Sequence, residues 1–221
     1  MKSIWSNGWF LIPVLLFFNA GLALAFVTPY GDEILLLNGL RYEPLNSIFR
    51  FMTMLGEIQA FVVAGVLALF WRFRYTLLIA LSGLVTIPVV YFIKEAFGAD
   101  RPITFFRNRG LADFVVTVPG VELNMGQTSF PSGHTMAAFA LFTMLTLITI
   151  DSNRRWGLVF AVLAVLVGVS RVFLVQHFLV DILAGALLGI TLSCLIWQIN
   201  RWSAFAQMTW LDGSLTGKKR L

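Results

Sequence analysis

Six long apolar runs limit what this chain can fold into more than any other feature does. They cover residues 9–27, 51–71, 76–93, 135–150, 156–174 and 180–199, and most approach the ~20 residues that a helix needs to cross a bilayer. Hydrophobic residues make up 58% of the 221-residue chain and charged residues only 12%. We therefore predict an all-α, polytopic membrane protein, a bundle of six transmembrane helices that forms a single domain over residues 1–221.

The basic residues predict the orientation of this bundle. If all six runs cross the membrane, nine of the 16 Lys and Arg residues fall on one side, and the side richer in these residues is usually cytoplasmic. They are Lys2, Arg72, Arg74, Arg154, Arg155, Arg201, Lys218, Lys219 and Arg220. The composition and short loops resemble those of bacterial chains, so the opposite side would face the periplasm from the inner membrane. The first run could instead be a signal peptide, but it exceeds the about 7–15 residues of a signal core, which favours a retained helix.

The charge of the chain does not indicate a nucleic-acid partner. The net charge of +5 comes from basic residues that stand singly or in pairs between apolar runs, which is typical of membrane anchoring. The single cysteine, Cys194, lies in the last run and cannot form an intramolecular disulfide. Membrane lipids are therefore the expected surroundings, and the sequence leaves the oligomeric state open.

Three ionisable side chains interrupt the apolar sequence between residues 170 and 181. Arg171, His177 and Asp181 are costly at membrane depth unless they are paired or hydrated, so such residues indicate a functional site. His177 and Asp181 stand four residues apart, so on a helix the carboxylate could accept a proton from one ring nitrogen and leave the other free to attack. The only other histidine, His134, ends the turn-like sequence FPSGH at residues 130–134.

Counting the spans brings polar residues from three segments to the same end of the bundle. The set is Lys94, Arg101, Ser132, Gly133, His134, Arg171, His177 and Asp181. Arginine binds phosphate oxygens in pairs and lysine acts as a point charge, while a helix that begins at Ser132 and Gly133 adds backbone N–H groups. These groups predict an anion site. Two histidines beside a bound phosphate permit a two-step transfer, in which His177 attacks phosphorus and His134 serves as acid and then as base.

Three motifs in this region resemble the signature of the type-2 phosphatidate phosphatase superfamily, also called lipid phosphate phosphatases. They are Lys, six residues, Arg-Pro; then Pro-Ser-Gly-His; then Ser-Arg, five residues, His, three residues, Asp. The matching positions are Lys94, Arg101, Pro102, Pro131, Ser132, Gly133, His134, Ser170, Arg171, His177 and Asp181. The resemblance covers residues 94–189 well, and the first ninety residues only through their pattern of apolar runs.

The resemblance implies a membrane phosphatase that needs no metal or other cofactor and acts on a lipid phosphate. It implies a phosphohistidine on His177 and acid and base roles for His134. The phosphate would be gripped by Lys94, Arg101, Ser132, Gly133 and Arg171. Undecaprenyl pyrophosphate, phosphatidylglycerol phosphate, phosphatidate and the phosphates of lipid A all suit such a pocket, and family frequency favours the first two.

Two other activities stay open. A lipid phosphotransferase would use the same intermediate and pass the phosphoryl group to another lipid. A transporter of a phosphorylated solute would bind its cargo with intramembrane charges near the bilayer centre. The charges of this chain stand at the ends of the apolar runs, which favours an enzyme.

Polar residues outside the signature have weaker assignments. Glu57 is expected to make a structural hydrogen bond and not to act in catalysis, because no partner is evident. Arg107 and Arg109 suit either surface anchoring or a second phosphate. The first outer loop, 28–50, is expected along the membrane surface, and the long loop up to residue 130 against the bilayer or over a site. The small residues from Gly185 to Gly189 are typical of a close helix contact.

Overall fold

The chain folds into a bundle of helices. The computed structural model describes residues 3–202 and 204–217, and within these ranges no residue is in a strand. The α-helices are α1 (Gly8–Val27), α2 (Asp32–Leu36), α3 (Leu45–Met54), α4 (Ile58–Leu69), α5 (Phe73–Phe97), α6 (Pro102–Asn108), α7 (Gly133–Thr149), α8 (Trp156–Phe173) and α9 (Leu179–Trp202). Short 3₁₀ turns lie at Ile4–Ser6, Asn38–Leu40, Ala112–Phe114, Ala204–Gln207 and Thr209–Asp212. The prediction of an all-α membrane protein is confirmed.

Each predicted apolar run falls on a helix, but not all of these helices are long enough to be counted as spans. Among the described residues, four helical segments have the length and hydropathy of a membrane span: Gly8–Val27, Phe73–Asn108, Trp156–Phe173 and Leu179–Arg201. The run predicted at 51–71 is broken, since α3 and α4 meet at a bend of 59°. The run predicted at 135–150 is the 17-residue helix α7, about 26 Å long at 1.5 Å per residue.

Helix α7 forms the centre of the bundle, and α5, α8 and α9 pack around it. Most of its side chains are buried, and Met136, Phe139 and Met144 are fully so. A helix that is apolar on all sides is expected in an interior. By contrast, α1, α4 and α5 present large exposed apolar side chains, such as Leu16, Val63 and Phe92, which suits contact with lipid.

Two glycines of α9 allow this helix to approach α7 closely. A methyl group added to Gly189 would lie 2.3 Å from the carbonyl oxygen of Met136, and one added to Gly185 would lie 2.6 Å from that of Ser132. The predicted close helix contact at these residues is therefore confirmed. Because Ser132 is the N-cap residue of α7, the contact at Gly185 also fixes the position along α9 of the turn that carries His134.

The first outer loop packs over the ends of α8 and α9. The buried Glu33 accepts from the N–H of Leu179 (3.0 Å) at the start of α9, and Arg41 Nε donates to the carbonyl of Phe173 (2.7 Å) at the end of α8. An acidic group at a helix N-terminus and a basic group at a C-terminus both complement the helix dipole. The loop thus holds the connection between α8 and α9 from both sides.

Replacement of Gly189 by alanine tests this packing. We expect Gly189→Ala to destabilise the protein by about 1–3 kcal/mol, because the added methyl group forces α9 away from α7. The matched control is Gly65→Ala in α4, where the nearest atom, Cγ2 of Thr76, would lie 3.8 Å from the methyl group. The midpoint of thermal unfolding in detergent should fall for Gly189→Ala and stay or rise for Gly65→Ala. Equal midpoints for both variants would contradict the close contact.

Candidate active site

Three connections meet at one end of the bundle, and they carry the predicted site residues. Lys94 and Arg101 flank the junction of α5 and α6, Ser132 to His134 begin α7, and Arg171 to Asp181 span the connection from α8 to α9. Arg101, Ser132, Arg171, His177 and Asp181 are buried, whereas Lys94, Gly133 and His134 are partly exposed. The structure therefore gathers these eight residues into one cluster at the same end of the bundle, the polar pocket, and most of its members are buried.

His177 lies at the bottom of this pocket with its two ring nitrogens in different surroundings. Its Nδ1 lies 3.4 Å from Asp181 Oδ2, and its Nε2 lies 3.1 Å from Arg101 Nη1. An arginine can only donate, so Nε2 is the unprotonated nitrogen and Nδ1 carries the proton towards Asp181. The lone pair of Nε2 therefore accepts from Arg101, and Nε2 is the ring nitrogen whose lone pair could attack an electrophile.

Asp181 is held by several groups from different segments. Its Oδ2 accepts from the hydroxyl of Ser129 (2.6 Å) and from the N–H of Phe178 (2.9 Å). Its backbone carbonyl accepts from the N–H of Ser132 (3.1 Å). Among the described residues, the buried Asp181 Oδ1 and His177 Nδ1 have no hydrogen-bond partner, and Oδ2 at 3.4 Å is the carboxylate oxygen close to Nδ1.

Burial keeps His177 neutral. Loss of contact with water is the largest effect, followed by the positive charges of Arg101, Arg171 and Lys94 and by the nearby His134, and together they lower the pKa of His177 well below its usual value. Desolvation and like charge both disfavour the protonated imidazole. A neutral imidazole can attack an electrophile at physiological pH without first losing a proton.

The backbone that presents His177 is strained. Val175 has φ of 58° and is fully buried, although a β-branched residue rarely adopts this left-handed conformation. The turn is held because the N–H groups of Gln176 and His177 both donate to the carbonyl of Arg171, at 2.9 and 3.2 Å. Such strain is often concentrated at functional sites.

Arg101 and Lys94 are tied to the long loop that precedes α7. Arg101 donates to the carbonyl of Gln176 (2.9 Å) and to the hydroxyl of Thr128 (3.2 Å), and the ammonium of Lys94 donates to the carbonyl of Thr128. Gln176 in turn donates to the carbonyl of Glu122 (2.9 Å). The loop therefore lies over the site, which is one of the two positions expected from its sequence.

The start of α7 supplies N–H groups, but Ser132 is engaged in capping the helix. Its hydroxyl accepts from the N–H of Thr135 (3.4 Å) and bonds the hydroxyl of the same residue, and its own N–H is donated to Asp181. The N–H groups of Gly133 and His134 belong to the first turn, where a helix offers no internal acceptor. These two groups, and not those of Ser132, are placed to bind an anion.

Arg171 and His134 are both approached by the bend between α3 and α4. Arg171 donates to the hydroxyl of Thr53 (2.5 Å), and its buried Nε has no partner among the described residues. Nε2 of His134 lies 3.7 Å from Oε1 of Glu57. The structure thus gives Glu57 the partner that the sequence did not reveal.

Several contributors to the site lie outside the three motifs. Ser129, Thr128 and Thr53 each contact a motif residue, and Glu33 and Arg41 hold the connection from α8 to α9. Only Ser129 stands beside a motif, and a serine at that position is no distinct signal.

Arg107 and Arg109 lie apart from this cluster. Arg107 donates to Sδ of Met125 (2.9 Å), and the guanidinium of Arg109 stacks 3.7 Å above the ring of Phe105. These contacts hold both side chains on residues outside the polar pocket. Arg109 is therefore a suitable matched control for the arginines of the site.

An apolar groove of about 560 Å³ runs between α4 and α5. Glu57 and Gly133 line its polar end, and its walls include Phe61, Ala80 and Val90. The His, Cys, Asp and Glu side chains in residues 3–202 and 204–217 form no group of three that could hold a metal ion. Gly133 belongs both to the cationic cluster and to the groove, so the two lie next to each other.

Comparison with known proteins gives a consistent result. A family model described as PAP2 superfamily matches residues 71–205. Phosphatidylglycerophosphatase B of Bacillus subtilis is 30% identical over 171 residues, which cover 71% of this chain and 76% of that protein. Undecaprenyl-diphosphatase BcrC of the same organism is 24% identical over 162 residues, covering 71% and 75%. The crystal structure of a PAP2-type phosphatidylglycerolphosphate phosphatase from Bacillus subtilis superposes with a TM-score of 0.60 at 25% identity, covering 86% of this chain and 95% of that one.

Binding of inorganic phosphate tests the anion pocket itself. We expect Arg101→Ala to weaken phosphate binding by about tenfold or more, because a charge-assisted contact is lost from a buried pocket. The control is Arg109→Ala, whose side chain lies on Phe105 instead. Titration in detergent, followed by the ³¹P resonance, measures both affinities, and circular dichroism verifies the helix content. Unchanged affinity in a folded Arg101→Ala variant would show that phosphate binds elsewhere.

Proposed function

The chain belongs to the PAP2 superfamily, and we propose that it is a membrane phosphatase that hydrolyses a phosphomonoester or diphosphate of a lipid. The observation that carries this proposal is the apolar groove between α4 and α5, which reaches Glu57 and Gly133 beside the cationic cluster. A phosphate bound near Arg101 and His177 would leave its hydrocarbon chain in the groove, in contact with the bilayer.

In the first step the phosphoryl group moves to His177. The lone pair of Nε2 attacks phosphorus, the bond from phosphorus to the lipid oxygen breaks, and that oxygen takes a proton from His134. Asp181 holds the Nδ1 proton and stabilises the positive charge that develops on the imidazole. The products of this step are a lipid alcohol, or a lipid monophosphate from a diphosphate, and a phosphohistidine.

In the second step water removes the phosphoryl group. His134, now without its proton, accepts one from the attacking water, and the new oxygen–phosphorus bond replaces the bond to Nε2. Lys94, Arg101 and Arg171 neutralise the phosphate oxygens, together with the N–H groups at Gly133 and His134, in a pocket with little water. Ser132 acts mainly by capping α7. No metal or cofactor enters either step.

The substrate class follows from the groove, and its members are distinguished by their head groups. Phosphatidylglycerol phosphate and undecaprenyl diphosphate are the leading candidates, because two of the matched relatives are a phosphatidylglycerophosphatase and an undecaprenyl-diphosphatase. Phosphatidate and the phosphates of lipid A are further members of the class. A phosphotransferase would share the first step and differ only in the acceptor of the second.

We place the protein in a bacterial inner membrane with six crossings and the site at the periplasmic face. The bent pair α3–α4 would form one crossing and the short α7 another, surrounded by α5, α8 and α9. Arg72, Arg154 and Arg155 lie in the turns at the ends of α4 and α8 that are remote from the site, in accord with a cytoplasmic location of the basic residues. Four of the nine basic residues assigned to that side lie outside the described residues: Lys2, Lys218, Lys219 and Arg220.

Phosphate release from a panel of lipid phosphates tests the proposed activity. We expect His177→Ala to lower release by about 1,000-fold or more, since no other group replaces the nucleophile, and Arg109→Ala to retain activity. His134→Ala should lose most activity, and EDTA should leave the parent active. Loss of parent activity on chelation, or full activity of His177→Ala, would overturn the mechanism.

Two added measurements distinguish the alternatives. Formation of a new lipid phosphate on addition of a lipid alcohol, with less free phosphate, would indicate a phosphotransferase. Uptake of a phosphorylated solute into vesicles by His177→Ala at the parent rate would indicate a transporter.

The groove makes a separate prediction about chain length. Ala80 is exposed on α5 and lines the groove, so Ala80→Phe should raise KM for a long-chain lipid phosphate about tenfold and leave a short-chain analogue nearly unchanged. The matched control is Ala23→Phe on the exposed face of α1. A similar KM for the long-chain substrate in both variants would show that the groove does not hold the substrate chain.

A further inference from the structure

The bend between α3 and α4 brings a carboxylate to the histidine at the mouth of the site. Oε1 of Glu57 lies 3.7 Å from Nε2 of His134, and both side chains are about one-third exposed. Glu57 occupies the position before α4, yet its side chain makes no capping hydrogen bond to that helix. Its orientation is therefore not explained by the helix that it precedes.

The approach of the bend to His134 depends on Gly56. A methyl group on Gly56 would lie 2.7 Å from the carbonyl oxygen of His134 and 3.1 Å from its Cβ. A larger residue at position 56 would separate the two backbones and carry Glu57 away. A glycine, Gly56, thus stands where the bend contacts the start of α7.

The positive charges near His134 disfavour its protonated form, and the carboxylate of Glu57 can offset them. Lys94, Arg101 and Arg171 surround the anion pocket, and each of them disfavours a proton on a neighbouring imidazole. Asp181 is engaged with Ser129, Phe178 and the ring of His177. A histidine that donates a proton to a leaving group must carry that proton in this cationic surrounding, and a carboxylate beside its ring compensates for the cations.

We propose that Glu57 is a positioning residue for His134: its carboxylate accepts from the Nε2–H of the protonated imidazole and so directs the Nδ1 proton towards the oxygen that leaves in the first step. The inference rests on the proposed phosphatase function. Glu57 itself touches neither phosphorus nor the leaving oxygen and acts through His134. With a leaving group that needs no proton, the attack by His177 would proceed without Glu57.

This role predicts a dependence on the leaving group. The alkoxide released from a lipid phosphomonoester needs a proton, whereas an aryl oxide such as p-nitrophenolate leaves without one. The value of kcat/KM reports the steps up to release of the alcohol or phenol, so it isolates the step in which His134 acts as acid. A carboxylate that only stabilised the fold would affect both substrates alike.

The experiment compares kcat/KM for a short-chain alkyl phosphate and for p-nitrophenyl phosphate in the detergent-solubilised full chain. Glu57→Gln should lower the alkyl value about 100-fold and the aryl value by less than about threefold. Glu57→Asp should recover part of the alkyl activity.

His134→Ala should show the same contrast between the alkyl and the aryl substrate, and adding Glu57→Gln to it should cause no further loss. The control Glu95→Gln, at an exposed carboxylate near the end of α5, should match the parent.

The outcomes separate this inference from the proposed function. Equal losses on both substrates in Glu57→Gln, or no loss on either, would overturn the positioning role while leaving the phosphatase intact. Activity of His177→Ala equal to that of the parent would overturn the phosphatase itself. A further loss in the double variant would show that Glu57 does not act through His134.

Discussion

The site depends on the burial of charged groups in an apolar bundle. Arg101, Arg171, His177 and Asp181 all have less than a tenth of their surface exposed, and each would destabilise the fold if it lacked partners. Arg101 is paired with the carbonyl of Gln176 and with Thr128, Arg171 with Thr53, and His177 with Asp181. The side chain and the carbonyl of Asp181 connect the start of α9 to the loop before α7 and to the first residue of the α7 turn. The same contacts that make the buried charge tolerable also set the distance between the two histidine-bearing segments.

Close helix packing and buried hydrogen bonds hold the segments around Asp181 in place. Gly185 and Gly189 bring α9 within backbone contact of α7, and Glu33 and Arg41 fix the two helix ends that flank the turn at Val175. That turn is strained, so it would relax if the supports were removed. Rigid placement matters because the proposed reaction requires His177 and His134 to stay on opposite sides of one phosphorus atom.

The sequence predicts those parts of the structure that depend on local pattern and spacing. Apolar runs predict the helices, and polar residues within them predict the pocket, because an ionisable group in an apolar helix is costly unless it is paired or functional. The break at Leu55 to Glu57 is not evident from sequence, since one glycine in an apolar run is an insufficient sign of a bend. The contacts of Thr53, Ser129 and Glu33 are not evident either, because they arise only after distant segments pack together. Ser132 lies where it was expected, but its groups serve the helix and Asp181.

A structure determined with bound orthovanadate is the most direct test of the shared pocket. Vanadate adopts the five-coordinate geometry of a phosphoryl group in transfer, so it reports where attack and departure occur. The expected result is a vanadium atom bonded to Nε2 of His177, with Arg101, Arg171 and Lys94 on its oxygens and His134 beside the oxygen opposite Nε2. Vanadate bound away from His177, or with His134 turned to another compartment, would contradict the proposed mechanism.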